Sequence, residues 1–142
     1  MELGLLTFCN EIQSLCFDFI LIFANTIFFD KNPESFMYQS LLPFLKIVLE
    51  MILTQQVGTE NKTGCAKALF SLMCCYKSEY VELVKQILEV QQQTNPVNTE
   101  RLSKEFIELT RNCEITFNRI TQSKFIDKFD KFFVNISFLF TV

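Results

Sequence analysis

The chain has no histidine and no tryptophan, and its 142 residues include only three glycines and three prolines. Without histidine it lacks the commonest general base, the commonest neutral metal ligand and the side chain that titrates at physiological pH. Catalytic triads of the serine-protease or papain kind are excluded unless another side chain replaces the imidazole. Three glycines leave too little material for a phosphate-cradling loop. Basic residues number 13 against 16 acidic ones, a net charge of −3, so the electrostatic footprint of a nucleic-acid binder is missing. The six cysteines form no C-x-x-C pair and have no histidine to complete a zinc set. The chain is therefore expected to be no enzyme, to use no cofactor or metal and to bind no nucleic acid. What it has in abundance is apolar: 49% hydrophobic residues, 17 of them Phe, against 20% charged. That composition belongs to a globular body of one domain, not to a disordered tail.

Charge is unevenly distributed. Residues 1–60 carry seven Asp or Glu against Lys31 and Lys46 alone, while the remainder carries nine acids and eleven bases. A solvated surface explains this; an acidic face for a basic partner is the alternative. Cys9, Cys16 and Cys74 fall among apolar residues at helical spacing and read as small buried hydrophobes, which fits a reducing compartment. Asn61-Lys-Thr63 and Asn135-Ile-Ser137 match the glycosylation acceptor pattern and are read as chance matches, since no secretory signal precedes them. The apolar run Phe19–Phe29 is interrupted by Asn25 and preceded by Asp18. The next, 36–53, contains Pro43, Lys46 and Glu50. Neither reads as a membrane span, which needs ~20 mostly apolar residues.

Periodicity gives about six helices and no strand. The first, from about Phe8 to Phe29, has an apolar line Phe8, Ile12, Leu15, Phe19, Ile22 and Thr26 and a polar line Glu11, Ser14, Asp18 and Asn25. Leu21 and Phe28 interrupt the polar line, so the helix is apolar over well more than half its circumference and is expected to be covered on two sides. Asn32 and Pro33 supply a cap and first position for a second helix, about 34–56, which Pro43 kinks or breaks. Its inner stripe is Leu45, Val48, Leu49, Ile52 and Leu53, with Lys46 and Glu50 paired outside. The third helix, about 63–76, buries Ala66, Leu69, Phe70 and Met73. The fourth follows with Ser78 as cap and a stripe of Tyr80, Val84, Ile87 and Leu88. A polar link from Gln91 to Pro96 leads to a fifth, 97–111, burying Leu102, Phe106 and Leu109. The sixth, from about Thr121, aligns Phe125, Phe129, Phe132, Ile136 and Leu139, widened by Ile126, Phe133 and Phe140. Lys124, Asp127, Lys128 and Lys131 lie opposite.

The remaining constellations are weak. Asp127/Asp130 and Glu105/Glu108 sit at i, i+3 but lack the histidine of a di-iron site. Cys74-Cys75 is a conceivable vicinal redox pair, though burial in a helix is the expectation. Lys124, Lys128 and Lys131 interleave with Phe as in a membrane-surface helix, but Asp127 and Asp130 cancel much of that charge.

Several blocks resemble the final helical repeats of the exportin-4 family, within the importin-β superfamily of nuclear transport receptors. They are residues 1–16, MELGLLTFCNEIQSLC; Phe44-Leu-Lys-Ile-Val-Leu-Glu-Met-Ile52; the stretch 63–92 with Ala66-Lys-Ala-Leu-Phe-Ser-Leu-Met-Cys74 and Glu79-Tyr-Val-Glu-Leu-Val84; Arg101-Leu102, Phe106 and Leu109-Thr110; and Lys124 to Ile136. The resemblance implies an all-α fold of antiparallel helix hairpins stacked as a short HEAT-like α-solenoid over residues 1–142. It implies part of a nuclear export receptor, without enzymatic activity, that binds protein cargo such as hypusinated translation factor 5A together with Ran-GTP. Such a receptor shuttles between nucleus and cytoplasm and needs no membrane. The amino-terminal repeats that engage Ran in that family lie outside the match, so the chain is expected to be a fragment or short isoform. No partner-binding residue carries over by position. A stand-alone helical bundle acting as an interaction regulator is the alternative.

Overall fold

A computed structural model describes residues 2–30, 35–116 and 118–140. Among these residues the chain is all-α: α1 (Glu2–Asp30), α2 (Phe36–Leu53), a 3-10 turn (Thr59–Asn61), α3 (Lys62–Cys75), α4 (Lys77–Thr94), α5 (Pro96–Thr110) and α6 (Arg119–Phe140), with no strand. It divides into two compact units, Met1–Cys75 and Tyr76–Val142.

In the first unit α3 is the central element. Cys65, Ala66 and every residue from Ala68 to Cys74 are buried. Small residues on its first turns let α1 approach closely. A Cβ placed on Gly64 would lie 3.8 Å from the Cβ of Phe17, an ordinary contact distance. α1 and α2 both pack on α3 and on each other. α2 contributes Leu41, Leu45, Val48, Leu49 and Ile52 to the core, the expected stripe with Leu41 added and Leu53 only half-buried.

Pro43 does not break α2, which runs unbroken from Phe36 to Leu53. Proline removes one N–H donor and faces a carbonyl four residues back, a defect that a helix packed along one side can absorb. Ser35 is the N-cap and accepts from the Tyr38 N–H at 3.1 Å. The cap expected at Asn32 and the first position expected at Pro33 lie outside the described residues. α2 closes with a Schellman motif: the Gln56 N–H donates to Met51 O at 2.9 Å and the Gln55 N–H to Ile52 O at 3.2 Å. Gln55 occupies the left-handed position, φ 60°, that glycine usually takes.

In the second unit α5 packs on α4 and α6. Asn95 caps α5, accepting from the Asn98 N–H, with Pro96 at the first helical position. The polar link expected from Gln91 to Pro96 shrinks to Asn95, because α4 continues to Thr94. Ser78 is inside α4 rather than capping it, since the helix begins at Lys77. Val84, Ile87 and Leu88 are half-buried, so only Tyr80 of the expected stripe is in the core. Phe125, Phe129, Phe132 and Ile136 of α6 are buried as their spacing predicts, and Phe132 lies 5.2 Å from Phe106 of α5 between ring centres. Ile126 and Phe133 flank that line half-buried, while the side chains of Leu139 and Phe140 lie outside the described set.

Candidate interaction surfaces

The face of α1 that meets the core is not the one its apolar line predicts. Phe17, Ile20, Ala24 and Ile27 are buried, whereas Ile12 is 44%, Leu15 69%, Phe19 46% and Ile22 66% exposed, and Thr26 is exposed with them. Phe8 lies outside the residues whose side chains are described. Periodicity alone misassigns this helix because apolar residues occupy most of its circumference, so several arcs qualify as an inner face.

Polar contacts show which arc is held inward. The Asn61 side-chain amide is buried, and its Nδ2 donates to Asn10 O at 2.8 Å and to Gln13 Oε1 at 3.3 Å. Gln13 Oε1 also accepts from the Gly58 N–H at 3.1 Å, and Gln13 Nε2 donates to Gln56 O at 2.7 Å. This clamp ties the 56–61 connection to the start of α1's inner side. A Cβ on Gly58 would collide with the Asn10 amide. Further along, the Cys75 thiol donates to the Ala24 carbonyl at 3.2 Å. Asn61 belongs to one of the two glycosylation triplets; its buried, doubly engaged amide leaves no access for a glycan.

The outward side of α1 is divided lengthwise. Ile12, Leu15, Phe19 and Ile22 form an apolar strip, and Glu11, Ser14, Asp18 and Asn25 run beside it, all exposed. α2 borders the other edge of the strip. Phe19 stacks on Phe23 at 4.3 Å and lies 6.4 Å from Phe44 of α2 between ring centres, and Ile47, three residues on from Phe44, is exposed too.

The length argument made against a span at Phe19–Phe29 does not hold for the longer folded helix α1. Asn10–Phe28 and Phe36–Leu53, 19 and 18 residues, are each long and apolar enough to cross a bilayer, and only 22% and 28% of these stretches are buried.

The other constellations are structural. Cys65 and Cys74 are buried, and burial pushes the thiols of Cys65 and Cys75 up to about 12, which keeps both protonated and unreactive. Cys16, expected to be buried, is exposed because it lies on the outer side of α1. Cys9 lies outside the described side chains. Burial also raises the Cys113 thiol, and Lys128 and Lys124 oppose that rise. Glu108 pairs with Arg111 at 2.9 Å, and Glu105 accepts from Asn135 Nδ2 at 3.0 Å, tying α5 to α6. Asp127, Lys124 and Lys131 are exposed, and Asp130 and Lys128 half-buried. No three Cys, Asp or Glu side chains converge among the described residues. In the second unit an open groove of about 540 Å³ lies between α4 and α5, walled by Leu88, Glu89, Gln92, Thr99, Glu100, Ser103 and Lys104. Glu100 and Lys104 lie 3.8 Å apart within that wall.

No protein-family model matches this sequence, and no solved structure matches the fold. The likeness to exportin-4 repeats therefore rests on the quoted residue blocks.

Proposed function

We propose that this chain is a protein-interaction scaffold, the carboxy-terminal HEAT-like segment of a nuclear export receptor of the exportin-4 kind. In that role it stacks its hairpins as part of an α-solenoid, and the receptor carries protein cargo, such as hypusinated translation factor 5A, with Ran-GTP from nucleus to cytoplasm. The observation that carries the reading is the outward apolar strip Ile12, Leu15, Phe19 and Ile22 on a helix already packed against two others. A helix between layers of a solenoid is apolar on two sides, because each repeat buries surface against its neighbours. A span across a bilayer fits less well. Glu11 and Asp18 would lie within the first apolar stretch and Lys46 and Glu50 within the second, where charges are costly.

The test is to map the transcript upstream of the Met1 codon. An open frame encoding further amphipathic helices is the expected result. In-frame stops immediately upstream would refute the receptor reading and leave a stand-alone helical regulator that binds its partners through the same strip.

A further inference from the structure

The apolar strip of α1 has an electrostatic edge as well as a hydrophobic centre. α1 contains no Lys or Arg over Glu2–Asp30. Glu11 and Asp18 stand two turns apart beside Leu15 and Ile22, both are exposed, and among the described residues neither has an ion-pair partner. On the α2 side the strip continues through Phe44 and Ile47 to Glu50, with Lys46 4.0 Å from that carboxylate. The surface is thus an apolar band about 15 Å long between Ile12 and Ile22, with acid on its α1 rim.

We infer that this band docks an amphipathic helix whose apolar stripe is flanked by Lys or Arg, in the receptor reading the adjoining repeat of the solenoid. The inference rests on the reading of the strip as an interaction surface and names the chemistry of its occupant. Apolar anchors at i, i+3, i+4 and i+7 fill the band, and basic flanking residues meet Glu11 and Asp18. The same carboxylates disfavour the other occupants. A second copy packed antiparallel about a two-fold axis perpendicular to α1 would set the acidic rim of Glu11 and Asp18 against its own equivalent. An anionic bilayer surface recruits helices flanked by Lys and Arg, and α1 has none.

The test uses the intact chain and two synthetic helices of about 18 residues, each with the same leucine stripe, one flanked by Lys and one by Glu. Binding is read by fluorescence anisotropy at low and high salt. The Lys-flanked helix is expected to bind, to weaken as salt rises and to outcompete the Glu-flanked one by about tenfold. In Glu11→Lys/Asp18→Lys, both exposed positions, the preference is expected to reverse. In Ile22→Asp, also exposed, both helices are expected to lose binding, with the circular dichroism of the wild type retained. Equal binding of the two helices, or no binding of either, overturns the inference. So does co-sedimentation with phosphatidylglycerol vesicles, or a dimer abolished by Ile22→Asp, because lipid or a second copy would then hold the strip. None of these outcomes bears on the upstream reading frame, so failure of the inference and failure of the receptor reading are distinguishable.

Discussion

Replacing Asn61 by aspartate is isosteric, yet it inverts the chemistry of the clamp that sets the inward face of α1. The amide Nδ2 donates to Asn10 O and Gln13 Oε1, both of them acceptors. An ionised carboxylate offers those oxygens no donor. Two hydrogen bonds of about 1 kcal/mol each are lost, and a nearly buried charge faces two carbonyl oxygens. Together these cost about 3 kcal/mol. At ~0.05–0.15 kcal/mol per residue, a unit of this size has roughly 4–11 kcal/mol in total, so the loss is a large fraction. The deficit should depend on pH. A carboxyl facing acceptors has its folded-state pKa raised above the unfolded value. Below the unfolded value it is protonated in both states, can donate to Asn10 O, and the deficit is smallest. As pH rises through the folded-state value the stability is lost. Urea unfolding of Asn61→Asp and wild type, compared at each pH from ~4 to ~7, should show a gap that widens with pH. Equal midpoints near neutral pH, or a gap that stays constant on acidification, would refute the clamp.

Gly64→Ala is expected to stabilise by about 0.5–1 kcal/mol, read as a higher Tm, because α3 gains helix propensity and the new methyl meets Phe17 at ordinary distance. Ser71→Ala should also be neutral or stabilising by up to about 1 kcal/mol in the same assay, since its buried Oγ has no hydrogen-bond partner. Under native conditions near neutral pH, iodoacetamide should label Cys16 well before Cys65 and Cys75; mass spectrometry showing Cys65 modified first would contradict the burial that raises its thiol. Phe129→Ala should destabilise by about 3–5 kcal/mol, because Phe129 is fully buried among Phe125, Phe132 and Phe133.

The buried line of α6 was legible over its described side chains. Phe125, Phe129, Phe132 and Ile136 share one buried arc and Lys124, Asp127 and Lys131 are exposed, so one assignment satisfies both, with Ile120 and Val134 the apolar residues left outside. α2 was legible in its stripe but not in its continuity, because Pro43 forbids one hydrogen bond without forbidding a helix. The fourth helix was misjudged at its start, where a plausible cap residue at Ser78 lies one residue inside the first turn. The interaction strip was half legible: the sequence showed that α1 has more apolar surface than one neighbour covers, but placed its outer line inside. The signal that points the other way is polar. Asn10 and Gln13 lie on the inward side of α1, and only their pairing with Asn61, about fifty residues away, reveals it.

Composition and periodicity determined the class: few glycines and apolar residues at helical spacing yield helices joined by short polar links. Those properties are local and additive along the chain. Which arc of α1 turns inward, and hence which residues remain for a partner, was decided by tertiary structure. More than one arc of α1 is apolar, and the arc turned inward is the one that meets residues distant in sequence: Phe17 against Gly64, and Asn10 and Gln13 in the clamp of Asn61.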